Sequence, residues 1–140
     1  MIQVLVIVGS GIFVLLGAAH GLLTLRDLGD PVVFTPRDAT LRTAMQQSTI
    51  ALHPDINLWR AWMGFNLSHS LGLVMFGGAF LYLGVFRLPW FSQSWLLQAC
   101  SILVSAAYLL MSLKFFFSTP AIGSGIAMAC FALATAMSYV

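Results

Sequence analysis

The chain has very few charged residues and contains no glutamate. Its 140 residues include six lysines and arginines and four acidic residues, so only 7% of the chain is charged. A soluble domain carries charge on roughly a quarter of its residues. Together with 60% hydrophobic residues, this composition excludes an ordinary soluble domain and indicates an integral membrane protein. The net charge of +2 is small and dispersed, so no nucleic acid partner is expected.

The short motifs that identify common catalytic classes are also missing. The sequence has no CxxC, no HExxH and no nucleophile elbow, and its two cysteines, Cys100 and Cys130, lie far apart in apolar segments. Thiol oxidoreductases, zinc proteases and serine hydrolases are therefore not indicated. No metal and no cofactor is predicted from these residues.

Four long apolar segments account for almost the whole chain. Each is longer than the ~20 residues that a helix needs to cross the hydrocarbon core of a bilayer. We therefore predict an all-α polytopic protein that forms one domain, residues 1–140, folded as a four-transmembrane-helix bundle. The predicted spans 1 to 4 cover about residues 2–25, 58–86, 94–117 and 120–140.

Residues 26–57 form the one substantial loop of this prediction. Within it, Thr35 followed by Pro36 and then Asp38 is a typical helix start, with Thr35 as the N-cap and Pro36 in the first helical position. The residues that follow favour a short amphipathic helix that lies on the membrane surface or caps the bundle.

Basic residues predict the orientation of the spans. Five of the six lie on the side of the long loop, against Arg87 alone on the other side: Arg26, Arg37, Arg42, Arg60 and Lys114. The positive-inside rule then places loop 26–57 in the cytoplasm and both termini outside.

One stripe at the start of span 2 combines polar and aromatic side chains. Trp59, Trp62, Asn66, His69 and Leu73 recur at steps of three and four residues, so on a helix they share one face. Polar groups within a membrane are costly unless they are paired, and such residues often mark function.

Span 1 brings a second histidine towards this stripe. At ~1.5 Å per residue, His20 lies roughly 9 Å inside the loop-side end of its span, Asn66 roughly 12 Å deep and His69 roughly 16 Å deep. We therefore expect His20 and Asn66 to share a shallow pocket, with His69 deeper in the bundle. The full candidate ligand-binding set is His20, Asn66, His69, Trp59, Trp62, Arg60, Tyr108 and Lys114.

Other interpretations of these residues stay open. A buried histidine or asparagine often only hydrogen-bonds a neighbouring helix, and tryptophans are common at the membrane interface. His20 and His69 are the one intramembrane histidine pair for a b-type haem, although their depths differ by roughly 7 Å. Alternatively, a histidine paired with Asp27 or Asp55 would give an enzyme that acts on a lipid by acid/base chemistry at the cytoplasmic interface.

Three segments carry a resemblance to a known group. The chain resembles a group of small bacterial four-helix integral membrane proteins in the segments GAAHG around His20, WRAWMGFNLSHSLGL at the start of span 2, and KFFFSTPAIGSGIAM between spans 3 and 4. The resemblance implies a four-helix fold and a bacterial inner (plasma) membrane location. It implies no particular activity.

The pattern as a whole favours a protein without chemistry of its own. We expect it to bind a hydrophobic ligand, such as a lipid, isoprenoid, quinone or pigment, or to act as an accessory subunit of a membrane complex. Small residues along spans 1 and 4, including Gly17, Gly21, Gly125 and Ala129, favour close contact with a protein partner or a second copy. Membrane lipids are the other expected partners.

Overall fold

The structure is a computed structural model that describes residues 1–139, and four of its helices are long and apolar enough to cross a membrane. These are α1 Ile2–Gly29, α3 Leu58–Phe86, α5 Trp95–Phe115 and α6 Ser118–Met137, and the all-α four-helix prediction is confirmed. A short helix, α2 Ala39–Gln47, lies in the long loop as predicted. The elements in order are α1 Ile2–Gly29, α2 Ala39–Gln47, β1 Thr49–Ile50, β2 His53–Asn57, α3 Leu58–Phe86, α4 Leu88–Gln93, α5 Trp95–Phe115 and α6 Ser118–Met137.

The contacts of the chain divide it into two compact units. One contains Met1–Leu16 and the residues from Leu73 onward, and the other contains Gly17–Gly72. Helices α1 and α3 are therefore divided between the two units: one part of each helix belongs to the first unit and the other part to the second. We call the second of these the loop-side unit, because it includes the whole long loop.

Aromatic rings fill the core of the first unit. Phe13, Phe80, Phe91 and Phe131 are buried together. Phe80 and Phe131 meet edge to face with 5.5 Å between ring centroids, an arrangement that aromatic pairs prefer. Tyr108 packs on this core with its ring centroid 5.6 Å from that of Phe13.

Small residues allow the helices of this unit to approach closely. A Cβ on Gly77 would lie 2.7 Å from the Ser10 carbonyl oxygen, and one on Gly9 would lie 3.2 Å from the Ala127 carbonyl oxygen. Part of the small-residue pattern therefore serves packing within the chain. Other small residues of α6 are exposed, at Ala129, Ala132 and Ala136.

Buried polar side chains on α5 are mostly satisfied by their own helix. The Ser101 hydroxyl donates to the Gln98 carbonyl, and the Ser105 hydroxyl donates to the Ser101 carbonyl. Gln98 also accepts a hydrogen bond of 2.8 Å from the Tyr139 hydroxyl near the end of the chain. Such bonds remove the cost of burying hydroxyl and amide groups in an apolar core.

Helix ends differ from the prediction in several places. Helix α1 continues to Gly29 rather than ending near residue 25. Helix α2 begins at Ala39, with Asp38 as the N-cap that accepts from the Thr40 N–H. The predicted cap at Thr35 is therefore wrong, because a carboxylate nearer the helix takes that role.

The remaining differences lie at the start of α6 and in the long loop. Helix α6 begins at Ser118 rather than near residue 120. A β-hairpin formed by β1 and β2 was not predicted. Ser94 caps α5 and Asn57 caps α3, since each side chain accepts a backbone N–H of the first turn.

Candidate functional site

A histidine of α1 is hydrogen-bonded to an asparagine of α3 within the loop-side unit. His20 Nε2 lies 2.9 Å from Asn66 Oδ1, although the two residues are 46 positions apart. Asn66 is buried, and His20 is partly buried. The two residues that depth counting places together are thus in direct contact.

Close packing of the two helices makes this contact feasible. A Cβ on Gly21 would lie 3.2 Å from Ser70 Cβ, so a larger residue at position 21 would require Ser70 to shift by a few tenths of an ångström. Ser70 itself is buried and donates its hydroxyl to the Asn66 carbonyl. The segment GAAHG therefore supplies both the histidine and the small residue that brings it to Asn66.

The hydrogen-bond network determines which His20 nitrogen carries the proton. The Asn66 amide nitrogen donates to the Trp62 carbonyl over 2.8 Å, so its Oδ1 is the atom that faces His20. An amide oxygen can only accept a hydrogen bond. His20 therefore carries a proton on Nε2, and in the neutral ring Nδ1 is an acceptor.

His69 lies beside this pair. Its ring contacts the His20 ring edge to face, with 5.3 Å between centroids. The Phe65 ring also stacks on the His69 ring, with 6.2 Å between centroids. The two histidines are therefore in contact, although depth counting places His69 roughly 7 Å deeper than His20. Depth counting along two separate helices ignores the relative tilt and side-chain direction that bring the rings together.

The long loop covers His20 with an aromatic ring. The Phe34 ring centroid lies 4.5 Å from that of His20. The Trp62 indole N–H donates to the Phe34 carbonyl over 2.8 Å. A tryptophan of the predicted stripe thus fixes the loop segment that packs on the histidine.

A buried aspartate holds the same loop segment from the other end. Asp27 near the end of α1 is completely buried. Its carboxylate accepts the backbone N–H groups of Val32, Val33 and Phe34. Three donors of this kind stabilise a buried carboxylate that would otherwise be costly.

Sequence reasoning missed the roles of Asp27 and Phe34, although Asp27 leaves a signal. An acidic side chain in the last turn of a helix meets the negative end of the helix dipole. Such a residue needs compensating donors, and the nearest are the amides of the loop that follows. Phe34 leaves no comparable signal, because an isolated aromatic residue in a loop has many possible contacts.

An open cavity adjoins this segment of the loop. It has a volume of about 430 Å³ and is lined by Val33, Phe34, Thr35, Pro36, Met45 and Trp62. None of the six side chains carries a charge. Thr35 Oγ1 is buried and has no hydrogen-bond partner, and the volume falls within the ~300–1,000 Å³ of small-molecule sites.

The other residues of the predicted set lie elsewhere. Arg60 is exposed in the first turn of α3, and its backbone N–H donates to Asn57. Trp59 is partly buried one residue earlier. Tyr108 and Lys114 belong to the first unit, where Lys114 Nζ lies 5.2 Å from the Phe115 ring centroid.

The histidine pair does not fit a bis-histidine haem. Two axial imidazoles must lie on opposite faces of the macrocycle, whereas the His20 and His69 rings contact each other. His20 Nε2 is also engaged by Asn66. Within residues 1–139, no three His, Cys, Asp or Glu side chains cluster closely enough to hold a metal ion.

An acid/base pair between His20 and a carboxylate is not formed either. Asp27 directs its oxygens to backbone N–H groups. Asp55 Oδ2 lies 3.8 Å from His53 Nδ1 on the exposed hairpin. The side chain bonded to His20 is the Asn66 amide, which cannot accept a proton as a carboxylate does.

Comparison with known proteins adds no family to this description. No protein-family model, no curated protein and no solved structure matches the chain. The fold and the site define its class: a four-helix polytopic membrane protein whose loop-side unit carries a hydrogen-bonded histidine beside an open, uncharged cavity.

Proposed function

We propose that this protein binds a hydrophobic ligand, without catalysing a reaction, in the cavity of its loop-side unit. The ligand is a lipid, isoprenoid, quinone or pigment taken from a bacterial inner membrane. The observation that carries the proposal is the open cavity of about 430 Å³ with its uncharged, mostly apolar lining.

The way the cavity wall is built supports this function. Val33 and Phe34 are held by the Asp27 carboxylate, and Phe34 is held again by the Trp62 indole. A wall with fixed backbone loses little conformational freedom when a ligand binds, and such preorganisation favours affinity. Trp62 also offers a large aromatic surface to an apolar molecule.

Filling the cavity tests the proposal. The variant Met45→Trp places a larger side chain on the cavity wall, whereas Met75→Trp adds the same bulk at a position that is 65% exposed. Each protein is purified in mild detergent, and the lipids and pigments bound to it are extracted and quantified by mass spectrometry. We expect one class of molecule to accompany the wild type and Met75→Trp, and to be depleted severalfold from Met45→Trp.

Two results would contradict the proposal. One is a wild-type preparation with no molecule enriched over the bulk membrane extract. The other is equal enrichment in both variants. Thermal unfolding of the two variants is measured in parallel, so that loss of the ligand is separated from loss of the fold.

A role as an accessory subunit is the second candidate, and it is favoured by one face of α6. Ala129, Ala132 and Ala136 are exposed at helical spacing. Small residues in this pattern allow another membrane helix to approach closely. Replacement of Ala132 by Leu should then release a partner or dissociate a homo-oligomer in cross-linking experiments, and an unchanged cross-linking pattern counts against this role.

A further inference from the structure

We propose that the ligand is an uncharged amphiphile with a hydroxyl or carbonyl head group that hydrogen-bonds to Thr35 in the cavity. This inference rests on the proposed function and specifies the chemistry of the ligand. It is carried by the buried, unpartnered Thr35 hydroxyl, together with the state of the other hydrogen-bonding groups of the cavity wall.

Thr35 has a hydroxyl without a partner. Its Oγ1 is shielded from solvent and makes no hydrogen bond. Burying a hydroxyl without a partner is unfavourable. A ligand polar atom that this hydroxyl reaches in one of its staggered rotamers would supply the hydrogen bond that it lacks.

Three of the neighbouring backbone groups of the wall are already engaged. The N–H groups of Val33 and Phe34 donate to Asp27, and the Phe34 carbonyl accepts from the Trp62 indole. Pro36 has no backbone N–H to offer. Thr35 therefore has the one hydroxyl among the six lining side chains, and it is the group best placed to recognise a ligand head group.

The lining also selects against a charged head group. All six side chains that line the cavity are uncharged. Moving an ionised phosphate or carboxylate from water to such surroundings is costly without a counter-ion. A hydroxyl or carbonyl needs only one hydrogen bond to be satisfied, and threonine can donate or accept that bond.

Two groups of amphiphiles share this chemistry. Long-chain and isoprenoid alcohols present a hydroxyl, and quinones and long-chain ketones present a carbonyl. A set of probes with one chain length separates them: 1-hexadecanol, 2-hexadecanone, hexadecane and hexadecyl phosphate. The protein is reconstituted in nanodiscs, and the unlabelled probes compete with radiolabelled hexadecanol in a scintillation proximity assay.

Matched variants assign the preference to the Thr35 hydroxyl. Thr35→Val keeps the shape of the side chain and removes the hydroxyl, whereas Thr35→Ser keeps the hydroxyl. We expect the alcohol, the ketone or both to compete about tenfold better than hexadecane and hexadecyl phosphate on the wild type, the difference that one hydrogen bond supplies. Thr35→Ser should retain this preference and Thr35→Val should lose it.

The outcomes separate this inference from the proposed function. If all probes bind equally to the wild type but Met45→Trp binds none, the cavity binds ligands and the head-group assignment is wrong. A preference for hexadecyl phosphate, or a preference that Thr35→Val retains, overturns the assignment as well. If no probe binds the wild type above the level of Met45→Trp, the proposed function itself fails.

Discussion

At the scale of single residues, the bond between His20 and Asn66 is the most specific feature of the molecule. Each of the two residues makes a further contact. The Asn66 amide nitrogen donates to the Trp62 carbonyl, and the Phe34 ring packs on His20. The pair therefore connects α1, α3 and the long loop inside the loop-side unit. Loss of either side chain leaves the polar group of the other residue without its partner.

A double-mutant cycle tests this pair. We expect His20→Leu and Asn66→Leu each to lower the free energy of unfolding, because each leaves the other side chain without its partner. The double variant should cost less than the sum of the two, by about 0.6–2 kcal/mol, the range found for polar pairs between membrane helices. The measurement is reversible unfolding in mixed detergent micelles with a denaturing detergent.

Additive effects of the two substitutions would show that the bond contributes nothing to stability. Ser68→Leu is the matched control. Ser68 lies on the exposed side of α3, and its hydroxyl bonds to the Phe65 carbonyl of its own helix. Its combination with His20→Leu should be additive.

At the scale of elements, helix α2 depends on a single side chain for its first turn. The Asp38 carboxylate accepts from both the hydroxyl and the N–H of Thr40. The Thr40 hydroxyl, followed by its N–H, holds the pKa of the Asp38 carboxyl below its ordinary value of 3.8. No residue of α2 is buried, so local capping matters more here than in the membrane helices.

This cap predicts a pH dependence of α2. Because the pKa of Asp38 is lowered on folding, the stabilisation is complete well above pH 3.8 and is lost as the pH falls through the lowered value. We expect the Thr40 amide resonance to report fraying of the first turn in that acidic range. Nuclear magnetic resonance spectra of the protein in micelles, recorded from pH 6 downward, give the measurement.

The variants Asp38→Asn and Asp38→Ala separate capping from charge. Asparagine still caps a helix but does not titrate in this range, so its first turn should keep the same structure at every pH. Alanine removes the cap, and the first turn should fray at every pH. A wild-type midpoint at or above pH 3.8 would contradict the assignment of Asp38.

At the scale of the whole molecule, the distribution of basic residues predicts which end of the four helices faces the cytoplasm. Five basic residues lie on the side of loop 26–57, and Arg87 alone lies on the other. By the positive-inside rule, we expect the cavity of the loop-side unit to lie at the cytoplasmic face. The proposed ligand would enter from the inner leaflet.

Cysteine labelling tests this orientation. In a variant with Cys100 and Cys130 replaced by Ala, a single cysteine is introduced either at Leu52, which is 90% exposed in the long loop, or at Gln93, which is exposed at the end of α4. We expect a membrane-impermeant maleimide to label Gln93→Cys in intact spheroplasts. Leu52→Cys should be labelled only after the membrane is permeabilised, and the reverse pattern would show the opposite orientation.

The sequence alone predicts most of the architecture, because long apolar segments and scarce charge act at the level of composition. Spans 2 and 3 begin within a residue of their predicted starts, since Asn57 and Ser94 are N-caps that act on their own first turns. The starts of α2 and α6 were less predictable. Several residues there are competent caps, and local preference does not decide which one is used.

The candidate site, too, is only partly predictable from the sequence. Regular spacing and depth along single helices sufficed to bring His20 and Asn66 together, and a glycine one residue from His20 was visible in the sequence. The contact of His69 with His20, the Phe34 ring over His20 and the cavity beside Thr35 depend on helix tilt and on the path of the long loop. The path of the loop is held by Asp27, which binds backbone N–H groups beyond the end of its own helix, and by Trp62, which binds the Phe34 carbonyl 28 positions away.

The sequence by itself therefore determined a four-span membrane protein with polar residues on the loop side of spans 1 and 2. Only the tertiary structure decided which of those residues meet, because side-chain contacts between helices depend on rotation and tilt that no helical period encodes. The tertiary structure also decided that the buried Asp27 carboxylate holds the cavity wall at Val33 and Phe34. Asp27 can remain buried only because three amides of the following loop fold back onto it.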